Sequence, residues 1–234
     1  MAIEQVALNN QIVYRDDKNT WRIYDAVGPD VSKWVLDHTV VTSTTTAAGS
    51  IVTQTNGTLV ATDSTTGGAI TLTLGGADDD ICTVQGHSEA FRFTARWPAY
   101  YGCKFQLVDP AQTDFFAGFC IKDTTLEAGM TDGIYFRLVD QSAVLSLVLE
   151  QGSVETTAEI ATLVAATDYT LELYYDGDYV YAYLDGALVV SVSTANANFC
   201  NDNDLAATFG IMAGEGSANN ALLYWSRAIQ LQAA

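Results

Sequence analysis

Acidic side chains are the most numerous groups in this sequence that could do chemistry. The 234 residues include 28 Asp and Glu against 10 Lys and Arg, which gives a formal net charge of −18. Glu155 and Glu159 would share one face of a regular strand, and paired carboxylates can hydrolyse a glycosidic bond. Their segment, SVETTAEIA, holds no aromatic residue that could bind a sugar. We therefore expect both carboxylates to be solvated.

Two short acidic clusters, Asp78–Asp80 and Asn201–Asp204, could offer oxygen ligands to a hard cation such as calcium. Neither cluster has the spacing of a known calcium loop, so the sequence predicts solvated loops and no metal centre. In the second cluster Asp202 and Asp204 are the residues that would bind calcium. No cofactor is predicted.

The four cysteines stand far apart, without a C-x-x-C pair, and only two histidines accompany them. A zinc site is therefore not predicted. Free cysteine is among the most often buried residue types, so we expect buried thiols, with a disulfide between Cys103 and Cys120 left open. No G-x-S-x-G or H-E-x-x-H motif is present, and the sequence predicts no enzyme.

Short runs of β-branched and aromatic residues, bounded by turn dipeptides, indicate many strands, and no long stretch keeps a helical period. Their spacing predicts an all-β sandwich or barrel rather than βαβ units. Asn56-Gly57 predicts a type I′ hairpin between Ser50 and Val60. The later runs are Phe91–Trp97, Cys103–Val108, Phe115–Ile121, Gly133–Val139, Val144–Leu149, Tyr169–Tyr175, Tyr179–Leu184, Ala187–Ser193, Thr208–Ala213 and Leu222–Leu231.

Residues 169–193 predict an antiparallel meander of three strands, with turns at Asp176-Gly177 and Asp185-Gly186. If the first turn has three residues, one face collects the tyrosines at 179, 181 and 183 together with Leu171, Leu173 and Tyr175. The other face then carries an apolar set that could form an interface; a slip of one residue would exchange the faces. The members of this interface set are Tyr174, Val180, Leu184 and Val189, with Ala182 between them. The tyrosines could pack in the core or form a platform for sugars or a partner.

The meander resembles the penultimate hairpins of the concanavalin A-like lectin and glucanase superfamily, and LLYWSRAIQL at Leu222–Leu231 resembles its closing strand. DVSKW at Asp30–Trp34 and NGTLVAT at Asn56–Thr62 fit its opening. The resemblance implies an antiparallel two-sheet jelly-roll sandwich whose terminal strands come together. Its laminarinase-like glycosidases carry an E-x-D-x-x-E strand, which this sequence lacks.

The first twenty residues predict an N-terminal arm, and residues 21–234 a single β-sandwich domain. The arm is mostly polar but carries apolar residues that a disordered tail would not need. We expect these residues to contact a neighbouring subunit or a shell protein. The proposed contacts are Ile3, Val6, Leu8 and Ile12.

The resemblance extends to concanavalin A-like structural proteins of tailed bacteriophages. It implies a non-enzymatic virion protein, a capsid cement or decoration protein, whose partners are itself, as a homotrimer, and a viral shell protein. The alternative is a carbohydrate-binding, lectin-like module, for example on a phage fibre; a relative of glycoside hydrolases comes third. Scattered Lys and Arg argue against a nucleic-acid partner, and no apolar run is long enough to predict a membrane partner.

Overall fold

The computed structural model describes residues 4–8, 11–15, 33–37, 50–62, 68–94, 97–122, 129–139, 141–214 and 219–231. Within these ranges the chain forms eighteen strands and one 3-10 turn at Pro110–Gln112. The strands are β1 (Glu4–Leu8), β2 (Gln11–Arg15), β3 (Lys33–Asp37), β4 (Ser50–Thr55), β5 (Thr58–Thr62), β6 (Ala69–Thr73), β7 (Ile81–Gly86), β8 (Phe91–Arg92), β9 (Ala99–Leu107), β10 (Thr113–Cys120), β11 (Gly133–Leu138), β12 (Val144–Gln151), β13 (Val154–Thr162), β14 (Thr167–Tyr175), β15 (Tyr179–Leu184), β16 (Ala187–Ser193), β17 (Asp204–Ala213) and β18 (Asn220–Leu231).

Two antiparallel sheets pack face to face, which confirms the predicted jelly-roll sandwich. Sheet I has the order β13-β12-β11-β10-β17-β7-β4, with β8 paired to β17. Sheet II has the order β16-β15-β14-β9-β18-β6-β5, with β3 paired to β18. The pairing of β3 with β18 brings the two ends of the sandwich sequence together, as the resemblance implied. No helix in the described part of the chain is long and apolar enough to cross a membrane.

Aromatic rings from both sheets fill the core between them. Phe105 of sheet II stacks on Phe115 of sheet I with ring centroids 4.5 Å apart, and Phe119 lies within 4.7–5.8 Å of Phe91, Phe93 and Tyr101. All these rings are buried. Each fully buried side chain of this size contributes roughly 1.5–3 kcal/mol, so this cluster fixes how the sheets pack.

All four cysteines are free and buried, as expected. Burial raises the pKa of the Cys82, Cys120 and Cys200 thiols to about 12. The thiols therefore stay protonated at neutral pH and act as small apolar core groups rather than as nucleophiles.

The predicted hairpin at Asn56-Gly57 is wrong. Strand β4 pairs with β7 in sheet I, whereas β5 pairs with β6 in sheet II, so the dipeptide is a corner between the sheets. Asn56 has φ 51° and donates from Nδ2 to Asp80 Oδ1 at 3.0 Å. A Cβ at Gly57 would lie 2.7 Å from the Ile81 carbonyl oxygen, so the corner needs glycine because a neighbouring strand passes closely.

The predicted meander is confirmed as β14-β15-β16, and both Asp185 and Gly186 have the positive φ of a type I′ turn. Of the two registers that the sequence left open, the structure has the one slipped by one residue. The Asp176 carboxylate accepts hydrogen bonds from the backbone N–H groups of residues 178 and 179. This turn makes Tyr175 pair with Val180 instead of Tyr179.

The slip divides the proposed interface set between two faces. Val180 belongs to the core cluster and Leu184 packs against it, on the same face as Leu171, Leu173 and Tyr175. Tyr174 lies on the outer face, opposite Tyr181. Val189 is 41% exposed at a bulge in edge strand β16, where the register shifts between Ala182 and Tyr183.

The N-terminal strands β1 and β2 pair with each other in a separate two-stranded sheet. Ile3 lies outside the described residues, and for Val6, Leu8 and Ile12 only the backbone pairing is described. The division into an arm, residues 1–20, and a domain, residues 21–234, stays a prediction, as do the contacts proposed for the arm.

Candidate functional site: an aromatic cleft at one end of the sandwich

A cleft of about 570 Å³ opens at the end of the sandwich where strands β14 and β15 are joined. Three segments form it: the residues after β8, the β14–β15 turn, and the stretch that leads from the end of β16 towards β17. Its lining residues are Phe93, Thr94, Tyr175, Gly177, Asp178, Tyr179, Ser193, Thr194, Ala195, Phe199 and Asn201. We call it the end cleft.

Three buried aromatic residues form the floor of the end cleft. Tyr175 stacks on Phe199 with ring centroids 5.5 Å apart, and Phe93 contacts both rings at 5.2 and 6.3 Å. The Tyr175 hydroxyl donates to the Phe93 carbonyl oxygen at 3.3 Å. The floor is therefore continuous with the core and rigid, which lowers the entropic cost of binding a ligand there.

One exposed aromatic side chain, Tyr179, stands at the rim. It is 44% exposed, and the preceding turn sets its backbone, because Asp176 Oδ1 accepts its N–H at 2.8 Å. Its ring lies 6.0 Å from that of Tyr181, whose hydroxyl donates to Asp176 Oδ2 at 3.0 Å. Tyr181 in turn stacks on Tyr174 at 6.1 Å. The packed rings of Tyr181 and Tyr174 therefore support the side chain of Tyr179.

The opposite side of the end cleft is polar and tied to the β14–β15 turn. Thr194 donates from its backbone N–H and from Oγ1 to the Asp178 carbonyl oxygen, at 2.9 and 3.0 Å. The loop that follows is held to β13, because Thr156 donates to Asn196 Oδ1 and accepts from Asn198 Nδ2. The end cleft therefore has hydroxyl, amide and carboxylate groups on one side and an aromatic floor. Hydrogen bonds hold the polar side in place.

The outer face of sheet I carries a second group of side chains that could do chemistry. Glu150 and Glu155 are directly opposite each other on β12 and β13, and Glu159 lies on the same face further along β13, as its spacing predicted. The Tyr135 hydroxyl donates to Glu150 Oε2 at 2.7 Å, and both residues are buried. Arg137 makes a two-point ion pair with Glu155.

The electrostatic environments of these two carboxylates differ. Burial is the main cause that raises the pKa of Glu150, while Arg137 compensates the charge of Glu155. A carboxyl with a raised pKa is what the general acid of a glycosidase requires. However, Glu150 is 3% exposed, so it does not reach a ligand in this structure.

Each of the two predicted acidic clusters contains one carboxylate with a structural role, Asp80 in the first and Asp204 in the second. Asp80 is buried and accepts from Asn56 Nδ2 and from the Ala77 N–H, contrary to the expected solvated loop, whereas Asp78 and Asp79 are exposed. In the second cluster Asp204 begins β17 and pairs with Arg92, which lowers the pKa of its carboxyl.

Asp132, Cys200 and Asp202 present ligand atoms within 4.8 Å of one another. Asp132 already accepts hydrogen bonds from the Gly152 N–H and the Thr131 hydroxyl, and the Cys200 thiol, which keeps its proton, points at Asp132 Oδ1 from 4.0 Å. Protein hydrogen bonds thus engage Asp132 and Cys200, while Asp202 is exposed.

Sequence reasoning missed the end cleft. Its residues come from three separate segments of the chain, and Phe93, Phe199 and Asn201 meet only because the two sheets end together. The usable signal was the tyrosine-rich meander, for which a platform for sugars or a partner was one of two interpretations, beside packing in the core. Tyr174, one of the residues singled out, supports Tyr179 through Tyr181.

Comparison with known proteins gives fold similarity without sequence similarity. No protein-family model and no curated protein matches this sequence. A protein of unknown function from Shewanella oneidensis MR-1 superposes with a TM-score of 0.64 at 14% identity, covering 89% of this chain and 92% of the other.

Two further solved structures of similar fold are carbohydrate-active. One, from a study of endo-acting O-glycanases that human gut bacteria express to initiate mucin breakdown, gives a TM-score of 0.59 at 11% identity and covers 85% of this chain and 99% of its own. The other, the Crh5 transglycosylase, gives 0.56 at 12% identity and covers 87% and 85%. The sandwich is thus a fold that carbohydrate-active proteins share.

Proposed function

We propose that this protein is a non-catalytic binding module of the concanavalin A-like kind, and that its end cleft takes a saccharide. The observation that carries the proposal is the combination of the exposed Tyr179 ring with a rigid aromatic floor and a polar wall. Sugar rings present apolar C–H faces and a rim of hydroxyls, and tyrosine matches both because it joins an apolar ring to a polar tip. Aromatic surface combined with a few fixed polar groups is a common form of small-ligand site.

Two further considerations support binding without catalysis. Structural neighbours of this fold include carbohydrate-active proteins, which makes a saccharide the first ligand to test. The paired carboxylates Glu150 and Glu155 lie on the outer face of sheet I, where Glu150 is buried and Glu155 is held by Arg137. A general acid must reach the leaving oxygen, and Glu150 does not.

The test is a glycan array probed with the full chain and with Tyr179→Ala. We expect the bound glycans to lose about three- to tenfold in affinity in this variant, since one aromatic contact is removed. Leu188→Ala is the matched control, because Leu188 is 54% exposed on neighbouring β16 and does not line the cleft. Equal binding by Tyr179→Ala and the parent would contradict the proposal. So would release of reducing ends that Glu150→Gln or Glu155→Gln abolishes.

The virion decoration role is a second candidate, with separate support. Strands β1 and β2 pair with each other and, within the described residues, with no strand of either sheet. Edge strand β16, ALVVSVS, carries no charge in a chain of net charge −18 and exposes Leu188 and Val189. Such features suit attachment to a shell and to further copies of the chain. Light scattering that shows a trimer, and immunogold labelling of purified virions, would support this role; a monomer and unlabelled virions would contradict it.

A further inference from the structure

We infer that Asp176 is a positioning residue for the end cleft. It is not one of the lining residues, yet its carboxylate holds the exposed Tyr179 ring and the polar side of the cleft in their binding geometry. This inference rests on the proposed function and adds to it a residue on which the affinity for a saccharide depends.

The two carboxylate oxygens of Asp176 have different partners within the meander. Oδ1 accepts the backbone N–H groups of Asp178 and Tyr179, each at 2.8 Å, and so closes the β14–β15 turn as an Asx turn. Oδ2 accepts the Tyr181 hydroxyl at 3.0 Å. One carboxylate therefore fixes both the backbone that carries Tyr179 and the ring against which Tyr179 packs.

The same turn also supports the polar side of the end cleft. Thr194 donates from its backbone N–H and from Oγ1 to the Asp178 carbonyl oxygen, and Oγ1 also lies 3.4 Å from the Gly177 carbonyl oxygen. Thr194 therefore takes its position from the backbone that Asp176 closes. Movement of the turn would displace the hydroxyl of Thr194 together with the ring of Tyr179.

The contribution of Asp176 to binding is order in the free protein. Tyr179 is 44% exposed, and an exposed side chain loses rotational freedom when a ligand packs on it. A turn that is closed before the ligand arrives, and a neighbouring ring that is already packed, reduce this cost. Without Asp176 the ligand would have to order the turn as well as the ring, so affinity would fall although no contact with the ligand is lost.

The opposite end of the meander provides a matched control. Asp185, in the β15–β16 turn, accepts the backbone N–H of Thr170 on Oδ1 at 2.8 Å, which is the same kind of bond that Asp176 makes. Both aspartates are exposed, and Asp185 does not line the end cleft. Removal of either carboxylate should lower the free energy of unfolding, whereas only Asp176 should affect the affinity for a saccharide.

The experiment is calorimetry on the full chain and its variants with a glycan that the parent binds on the array. We expect Asp176→Ala to lose roughly three- to tenfold in affinity, which is typical of the cost of ordering one further side chain. Asp176→Asn should stay within about twofold of the parent, because its amide oxygen can accept both N–H groups and its NH2 group can donate to the Tyr181 hydroxyl. Asp185→Ala should have a lower melting temperature and bind like the parent.

A double-mutant cycle tests whether Asp176 acts through Tyr179. In the Tyr179→Ala background, Asp176→Ala should cost less affinity than it does in the parent, because the ring that it positions is already absent. Thermal melts of every variant give the temperature below which all of them are folded, and the titrations are run there.

The outcomes separate this inference from the proposed function. Equal binding by Asp176→Ala and the parent would overturn the inference and leave saccharide binding intact. So would an equal loss in Asp176→Asn, which would mean that the charge acts on the ligand, or in Asp185→Ala, which would mean a general effect of stability. A fully additive loss in the double-mutant cycle would overturn it as well. An array without any bound glycan would overturn the proposed function itself, and this inference with it.

Discussion

At the scale of single residues, the outer face of sheet I holds the most unusual chemistry of the described chain. Glu150 is buried, accepts from the Tyr135 hydroxyl, and faces the charges of Glu155, Arg137 and Asp132. Burial penalises the ionised form, and the pKa of Glu150 is raised as a result. Nothing local in the sequence marks this glutamate, because its environment is made by two other strands and a loop.

The pKa of Glu150 has a consequence for stability. Above the ordinary value for a glutamate, about 4.3, the unfolded chain gains by ionising while the folded carboxyl stays protonated or ionises at a cost. The ionisation of Glu150 therefore lowers the free energy of unfolding as the pH rises from that value through the pKa of the folded state. Replacement by glutamine removes the titration and keeps an oxygen for the Tyr135 hydroxyl.

We expect Glu150→Gln to raise the melting temperature relative to the parent at about pH 7, and to have a smaller effect at about pH 4. Thermal melts at both pH values measure the difference. Glu159→Gln serves as the control, since Glu159 is an exposed residue on β13. A gain for Glu150→Gln that is larger at the lower pH would reverse the sign of the argument.

At the scale of elements, the sequence predicted what local chemistry determines and missed what long-range packing determines. The turns at Asp176-Gly177 and Asp185-Gly186, and the strands around them, follow from turn residues and β-formers. The Asn56-Gly57 corner looks locally like a hairpin, and only the separate partners of β4 and β5 show otherwise. Strand β13 was missed because it is an edge strand rich in Glu and Thr, without the apolar run that marks a buried one.

Strand β10 in the middle of sheet I offers a sharp test of close backbone packing. A Cβ on Gly118 would lie 2.7 Å from both the Ile134 oxygen and the Tyr135 Cα, and the residue has φ +148°. The neighbouring strands could move away from such a Cβ only by breaking the backbone hydrogen bonds that join them. Gly152, in the β12–β13 turn, has φ +57° and no atom within 4 Å of its virtual Cβ.

We expect Gly118→Ala to lower the free energy of unfolding by about 2–4 kcal/mol. Gly152→Ala should cost only about 1 kcal/mol, from its left-handed backbone alone. Urea denaturation of both variants gives the comparison. Equal losses in the two variants would show that steric contact in sheet I is not the dominant cost.

At the scale of the whole molecule, the sandwich and the N-terminal hairpin differ in how they are held. The two sheets share one aromatic core, whereas the described pairing of β1 and β2 is confined to the two strands themselves. A segment that shares no ladder with the domain contributes little to its cooperative unfolding. The prediction that residues 1–20 form an arm therefore implies that they serve attachment rather than the stability of the sandwich.

We expect deletion of residues 1–20 to leave the melting temperature of the isolated domain nearly unchanged while weakening attachment to a virion shell. Calorimetry on the shortened chain measures the first effect, and co-sedimentation with virions the second. Unfolding of the shortened chain would show that the segment is an integral part of the sandwich.

The central claim, a saccharide in the end cleft, is tested most directly by NMR titration of the isotopically labelled full chain with a glycan that binds on the array. Backbone amides report which surface the ligand touches. We predict shifts concentrated at Gly177–Tyr179, Ser193–Ala195 and Asn201, with Glu150 and Glu155 unaffected. Shifts centred on Glu150 and Glu155 instead would place the ligand on the outer face of sheet I and contradict the account.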